Sequence, residues 1–337
     1  MLLSFKAPLL AQEDEDEQNS YYLVVESIDW QSMTRDEKIE ACQFPLEYLN
    51  SLSTSNLLEL VLENPFMLEM LAFDTVKDGF SRVYSDFPAL SILASRKDIG
   101  EVLIARYNGE SIVRTGKVSS DSSYNINFLY MEILFHQPEM RIEFSEVEVS
   151  RFVQAINKKN IDKQKSSSIY EGSLSLYHEE LENEYILSTR ATTTVKTPKG
   201  SLVTVTDNTN LKDWTSAEIK TINAQYAKLY PNAKLVRDPS KKYNCHSYAW
   251  YSTSASNKYW MNNPSKYMSD GSYKKVTSAV GTKIYYANEH TGIVIAITMI
   301  GGNQNVTVRS KWGNLGVYEH SRTHCPYSAS QTYWKLN

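Results

Sequence analysis

The chain has 337 residues, 42% of them hydrophobic, with three cysteines and a formal net charge of −4. That length leaves room for two domains with large cores, and the composition excludes a chain that is disordered throughout. No run of 18 or more uncharged apolar residues occurs, which excludes a membrane-spanning helix, and three far-apart cysteines without a CxxC argue against a disulfide framework or a cysteine-rich zinc site.

The first segment, MLLSFKAPLLAQEDEDEQ, has a short apolar part broken by Lys6 and followed by an acidic run, so residues 1–20 read as a frayed acidic tail or the end of a clipped leader. Residues 21–165 read as a mainly helical acidic domain. Thr34 to Glu37 has the form of a capping box, and Pro45 closes the helix that follows. Ser55 to Leu62, Phe66 to Phe73 and Ala89 to Tyr107 repeat apolar residues at helical spacing, with Leu58, Leu62, Leu71, Leu93 and Leu103 as expected core and Cys42 packed among them. Ser120 to Ser123 reads as a loop and Phe144 to Lys159 as a helix. The polar stretch KKNIDKQKSSS places a linker at 166–186.

From about 187 the period changes. Thr192 to Lys196, the turn Pro198-Lys199-Gly200, and Leu202 to Thr206 predict a β-hairpin. Thr215 to Glu218 is a second capping box, opening a helix that ends at Pro231. Lys283 to Tyr286, Thr291 to Met299 and Asn305 to Ser310 predict strands, so the fold class is α+β, with a helix packed on an antiparallel sheet in a second domain at 187–337.

Charge divides along the same line. Residues 1–185 hold 16 Lys+Arg against 32 Asp+Glu, a balance of −16, and residues 186–337 hold 19 against 7, a balance of +12. A basic half suits an anionic polymer, or it simply packs on the acidic half. The basic residues Lys274, Lys275, Arg309 and Lys311 read as a solvated face, with attraction of an anionic polymer as the alternative.

The stretch carrying chemistry is Tyr243-Asn244-Cys245-His246-Ser247-Tyr248-Ala249-Trp250. A thiol at a helix start meets unpaired backbone N–H groups that favour the thiolate, and a histidine distant in sequence supplies the base. His290, heading the apolar strand that runs through Val294, is the expected base for Cys245. A buried structural thiol is the plain alternative. The spacing His320-x3-His324 would suit zinc only on a helix, and Pro326 with no helical apolar pattern argues against one; neither metal nor cofactor is expected.

These elements resemble the papain-like amidases and endopeptidases of the NlpC and CHAP type. The resemblance is carried by Asn244-Cys245-His246-Ser247, by Val280-Gly281-Thr282-Lys283-Ile284-Tyr285-Tyr286, and by His290-Thr291-Gly292-Ile293-Val294. It covers roughly 235–315 and implies a papain-like fold and a cysteine peptidase or amidase acting on bacterial peptidoglycan peptides. The strand entry reads Gly281-Thr282 instead of the usual Gly-Asp, and a histidine follows the cysteine. The acid that orients the histidine in CHAP-type domains, where NlpC-type ones usually carry His, Asn or Gln, is missing from the next strand, so Ser310 is the expected third member, with Asn314 and His320 as substitutes. Asn244, His246, Tyr259 and Trp312 are the expected substrate contacts. Expected partners are a peptide or peptidoglycan substrate and the acidic half itself, without nucleic acid. The expected setting is the bacterial surface or exterior, with the cytoplasm left open. A binding protein that keeps the fold without hydrolysis is the second reading.

Overall fold

The computed structural model describes residues 25, 27, 29–112, 124–181 and 191–337. The expected tail at 1–20 and the loop at 120–123 lie outside them. Helices come first: α1 Arg35–Ala41, α2 Leu46–Ser51, α3 Thr54–Glu63, a 3-10 helix at Pro65–Leu71, α4 Val76–Asp86, α5 Pro88–Ala94, α6 Ile99–Gly109, α7 Asn127–His136, α8 Glu146–Gln164 and α9 Ser167–Leu181. Both predicted capping boxes form. Thr34 accepts the Glu37 N–H while Glu37 accepts that of Thr34, and Thr215 with Glu218 does the same at the start of α10, Ser216–Leu229. The five expected leucines and Cys42 are buried.

The expected linker is mostly helix. α9 fills its first two thirds, with Ile169 and Tyr170 buried, and residues 182–190 lie outside the described residues. The polar stretch misled because the holding groups are backbone donors: Glu218, buried in its own capping box, also accepts the N–H groups of Gly172 (3.1 Å) and Ser173 (2.6 Å). The end of the helical half is thereby tied to the first turn of α10.

The strands form two antiparallel sheets. The smaller contains β1 Thr192–Lys196, β2 Leu202–Asp207 and β4 Tyr259–Trp260, with β1 and β2 paired as the predicted hairpin. The larger has the order β3-β9-β8-β7-β6-β10-β5, from β3 Lys234–Arg237, β5 Tyr273–Val276, β6 Lys283–Tyr286, β7 His290–Ile300, β8 Asn303–Lys311, β9 Val317–Ser321 and β10 Gln331–Leu336. Gly301 and Gly302, both at positive φ (55° and 82°), turn β7 into β8.

Side chains alternate across a strand, so each sheet face draws on every second residue. One face of the large sheet, with Tyr286, Val294, Val308, Trp312 and Tyr318, shares a single apolar core with Leu58, Phe66 and Leu71 of the helical half and Tyr226 and Tyr230 of the α10 region. The halves are therefore not separate globules. Backbone-directed bonds reinforce the join, with Lys38 Nζ on the Leu229 carbonyl and Trp30 Nε1 on that of Lys228. Lys212–Glu171 joins the two halves as an ion pair at the surface, so the −16 and +12 balances meet across a mainly apolar contact. No helix among the described residues is long and apolar enough to cross a membrane.

Candidate active site

Asn244 sets the site. Its Oδ1 accepts the N–H groups of Ser247 and Met261 (both 3.1 Å), and its Nδ2 donates to the Met261 carbonyl (2.8 Å), so it caps the helix that begins at Cys245 and anchors it to the loop after β4. From Ser247 to Tyr251 that helix widens to the π form, a distortion often found at functional sites. It lies on the face of the large sheet opposite the helical half. His246 Nδ1 meets Thr291 Oγ1 at 2.7 Å, Trp250 Nε1 donates to the same hydroxyl at 3.2 Å, and Ala249 and Trp250 pack with Val203, Met261 and Ile293. Thr291 Oγ1 accepts the indole N–H and keeps its own proton and a second lone pair, so it pairs with His246 Nδ1 in either ring tautomer.

The third participant comes from the helical half. Asp74, in the bend between the 3-10 helix and α4, accepts Asn244 Nδ2 on Oδ1 at 2.9 Å and lies 3.7 Å from the Cys245 sulfur; its Oδ2 is 3.4 Å from His246 Nε2. One donor atom from each of Asp74, Cys245 and His246 falls within 4.8 Å of the other two, close enough for the three to share a metal ion. The segment bringing Asp74 is seated firmly: Asn314 N–H donates to the Leu71 carbonyl (2.8 Å), Tyr327 Oη to that of Ala72 (2.6 Å), and Phe73 packs edge-on against Tyr327.

Burial governs the electrostatics. The Cys245 thiol is pushed well up, first by burial and then by the Asp74 carboxylate, against the N–H groups of Thr291 and His246, which pull it down. Burial raises Asp74 to about 7 and lowers His246 to about 3, so the imidazole is neutral. Lys311, expected on a solvated face, is fully buried; its ammonium donates to the carbonyls of Ser240 (2.7 Å) and Gly313 (2.6 Å), and burial lowers it to about 7. In this covered arrangement the thiol is protonated and 1% exposed.

His290 begins β7 as expected, yet it forms no hydrogen bond with Cys245. Strand alternation turns its ring to the face opposite Thr291, where it stacks on Tyr327 at 3.6 Å, and neither ring nitrogen has a partner among the described residues. The partner of the sulfur is instead Asp74 Oδ1, at 3.7 Å. Ser310 does not orient His290. It lies within the core face, linking Trp312 Nε1 (3.0 Å) to His320 Nε2 (2.8 Å), and so cannot serve as the expected third member; Asn314 and His320 do not bond His290 either.

The expected substrate contacts fare similarly. Trp312 is buried among Tyr226, Tyr230 and Tyr318, and Asn244 and His246 are buried within the cluster. Tyr259 is half-buried against Tyr251. Sequence reasoning missed Asp74 and Lys311: Asp74 lies 171 residues from Cys245 with no motif around it, and a lysine on a strand reads as surface. Comparison with family models, curated proteins and solved structures finds no match for this chain.

Proposed function

We propose that this chain is a papain-like, cysteine-dependent amide hydrolase acting on peptides of bacterial peptidoglycan, with Cys245 as nucleophile and His290 as base. One observation carries the reading. The cysteine opens its helix against the start of β7, where the next residue, His246, bonds Thr291, while His290 is buried with neither ring nitrogen bonded among the described residues. A buried imidazole without partners forgoes about 1–3 kcal/mol, a cost that calls for an explanation, and a catalytic role supplies one. His246 is the weaker base, since Nδ1 is engaged by Thr291 and Nε2 faces Asp74.

In the proposed reaction the 71–74 segment withdraws and the His290 ring turns toward the sulfur. His290 accepts the thiol proton, and the thiolate attacks the amide carbonyl. Backbone N–H groups at the helix start hold the oxyanion, and the protonated histidine gives its proton to the leaving amine. Water, deprotonated by His290, then releases the acyl group and restores the thiol. Tyr327, stacked on His290, takes the orienting place expected of Ser310.

The enclosed sulfur and the carboxylate beside it favour a second reading, a binding protein that keeps the fold without turnover. Purified stem peptide separates the two. Hydrolysis lost in Cys245→Ala and cut at least about a hundredfold in His290→Gln, but far less in His246→Gln, is the expected result. Turnover unchanged by Cys245→Ala would remove the hydrolase reading.

A further inference from the structure

The cluster at the start of the Cys245 helix combines three ligand types on two rigid supports. Cys245 and His246 share a first helical turn capped by Asn244, and Asp74 is fixed from the opposite side by Asn244 Nδ2. Four-coordinate zinc binds sulfur at about 2.3 Å and nitrogen or oxygen at about 2.0–2.1 Å, which sets the ligand-to-ligand edges of its tetrahedron near 3.4–3.6 Å. Asp74 Oδ2 lies 3.4 Å from His246 Nε2 and Asp74 Oδ1 lies 3.7 Å from the Cys245 sulfur, and one donor atom of each residue lies within 4.8 Å of the others, so a small closure of the three would reach those edges. The outer contacts fit as well. A metal-bound imidazole needs its other nitrogen held by an oxygen, and Thr291 Oγ1 stands 2.7 Å from Nδ1; a bound carboxylate needs a donor of its own, and Asn244 supplies it.

We propose that Asp74, Cys245 and His246 form a zinc(II) site that clamps the 71–74 segment across the thiol. On binding, the sulfur gives up its proton to solvent and ligates as thiolate, Asp74 ligates as carboxylate, and the two negative charges balance the ion. His246 ligates through Nε2 while its ring proton sits on Nδ1 and is donated to Thr291 Oγ1. The fourth position is left to water. Because Asp74 belongs to the helical half and the other two ligands to the second half, the ion joins them at one point, and its removal takes away one hold on a segment that Asn314 and Tyr327 also bond. The regulatory consequence, a hydrolase held latent by zinc, rests on the function proposed above; metal binding itself does not.

The test uses the full chain, dialysed against EDTA and titrated with cobalt(II), whose thiolate complexes absorb in the near ultraviolet by charge transfer. One equivalent should saturate the band, Asp74→Asn and His246→Gln should each weaken binding by about tenfold or more, and Cys245→Ser should abolish the band. Zinc should displace the cobalt and slow alkylation of Cys245, followed by mass spectrometry, by about tenfold or more. Unchanged thermal melts in Asp74→Asn and His246→Gln certify that their losses are local. No band in the parent protein, or one that persists in Cys245→Ser, overturns the zinc site. Hydrolysis of stem peptide by the metal-free parent protein and by metal-free Cys245→Ala judges the hydrolase reading separately, since neither measurement needs metal.

Discussion

Gly313 offers the sharpest test of how the helical half reaches the thiol. It follows Trp312, adopts φ +44°, and a Cβ there would stand 2.5 Å from the Leu71 oxygen, the Ala72 carbonyl carbon and the Phe73 oxygen, all backbone. In Gly313→Ala the left-handed conformation costs roughly 1–2 kcal/mol. Relief of the overlap needs a shift of about 1 Å to reach ordinary contact near 3.5 Å. That shift stretches the Asn314 N–H to Leu71 bond from 2.8 Å to about 3.8 Å, beyond hydrogen-bonding range, and forfeits about 1 kcal/mol. The total is on the order of 3 kcal/mol, read as a fall in urea midpoint at constant slope. Asp74 moves with the segment, so native-state alkylation of Cys245 should speed up severalfold in the same variant. Gly109→Ala, with nothing within 4 Å of the added carbon, is the control and should leave both readouts near the parent values. A Gly313→Ala protein within about 0.5 kcal/mol of the parent, with Cys245 alkylated at the parental rate, would show that residues 71–74 are not seated on this turn.

Three further outcomes follow from buried polar groups. Burial lowers His320 to about 4, so the folded state resists a proton that the unfolded chain accepts near 6.5; stability is full above that value and declines as pH falls toward 4, by on the order of 3 kcal/mol. His320→Gln should flatten this part of the pH dependence in urea melts, and identical slopes in the two proteins would contradict it. Glu218→Gln places an amide where the N–H groups of Thr215, Gly172 and Ser173 converge, and should cost about 2 kcal/mol by calorimetry, whereas a loss under about 0.3 kcal/mol would deny the tie between α9 and α10. Lys163 and Glu132 form a buried ion pair in the helical half. Lys163→Met alone should cost about 3–5 kcal/mol by leaving the carboxylate unpaired, while the double change with Glu132→Leu should recover most of that loss; a double variant no better than the single would refute the pairing.

Much of the local structure was legible in the chain because it depends on neighbours. The two capping boxes, the Pro198-Lys199-Gly200 hairpin, the leucine periodicity of the helical half and the paired strands from Lys283 onward all follow from contacts within a few residues. So did the position of Cys245 at a helix start, which Asn244 creates through its own side chain. What the sequence could not determine were encounters between distant segments and the direction each side chain takes at them. Only the tertiary structure decided that His290 turns to the Tyr327 face, that Ser310 serves His320 instead, that Lys311 is buried, and that a carboxylate 171 residues away rests beside the sulfur. The reason is geometric: periodicity states which residues share a face, but the partner of that face, and hence the burial and charge around each ionisable group, is fixed only when the sheet, the π-helix and the helical half close on one another.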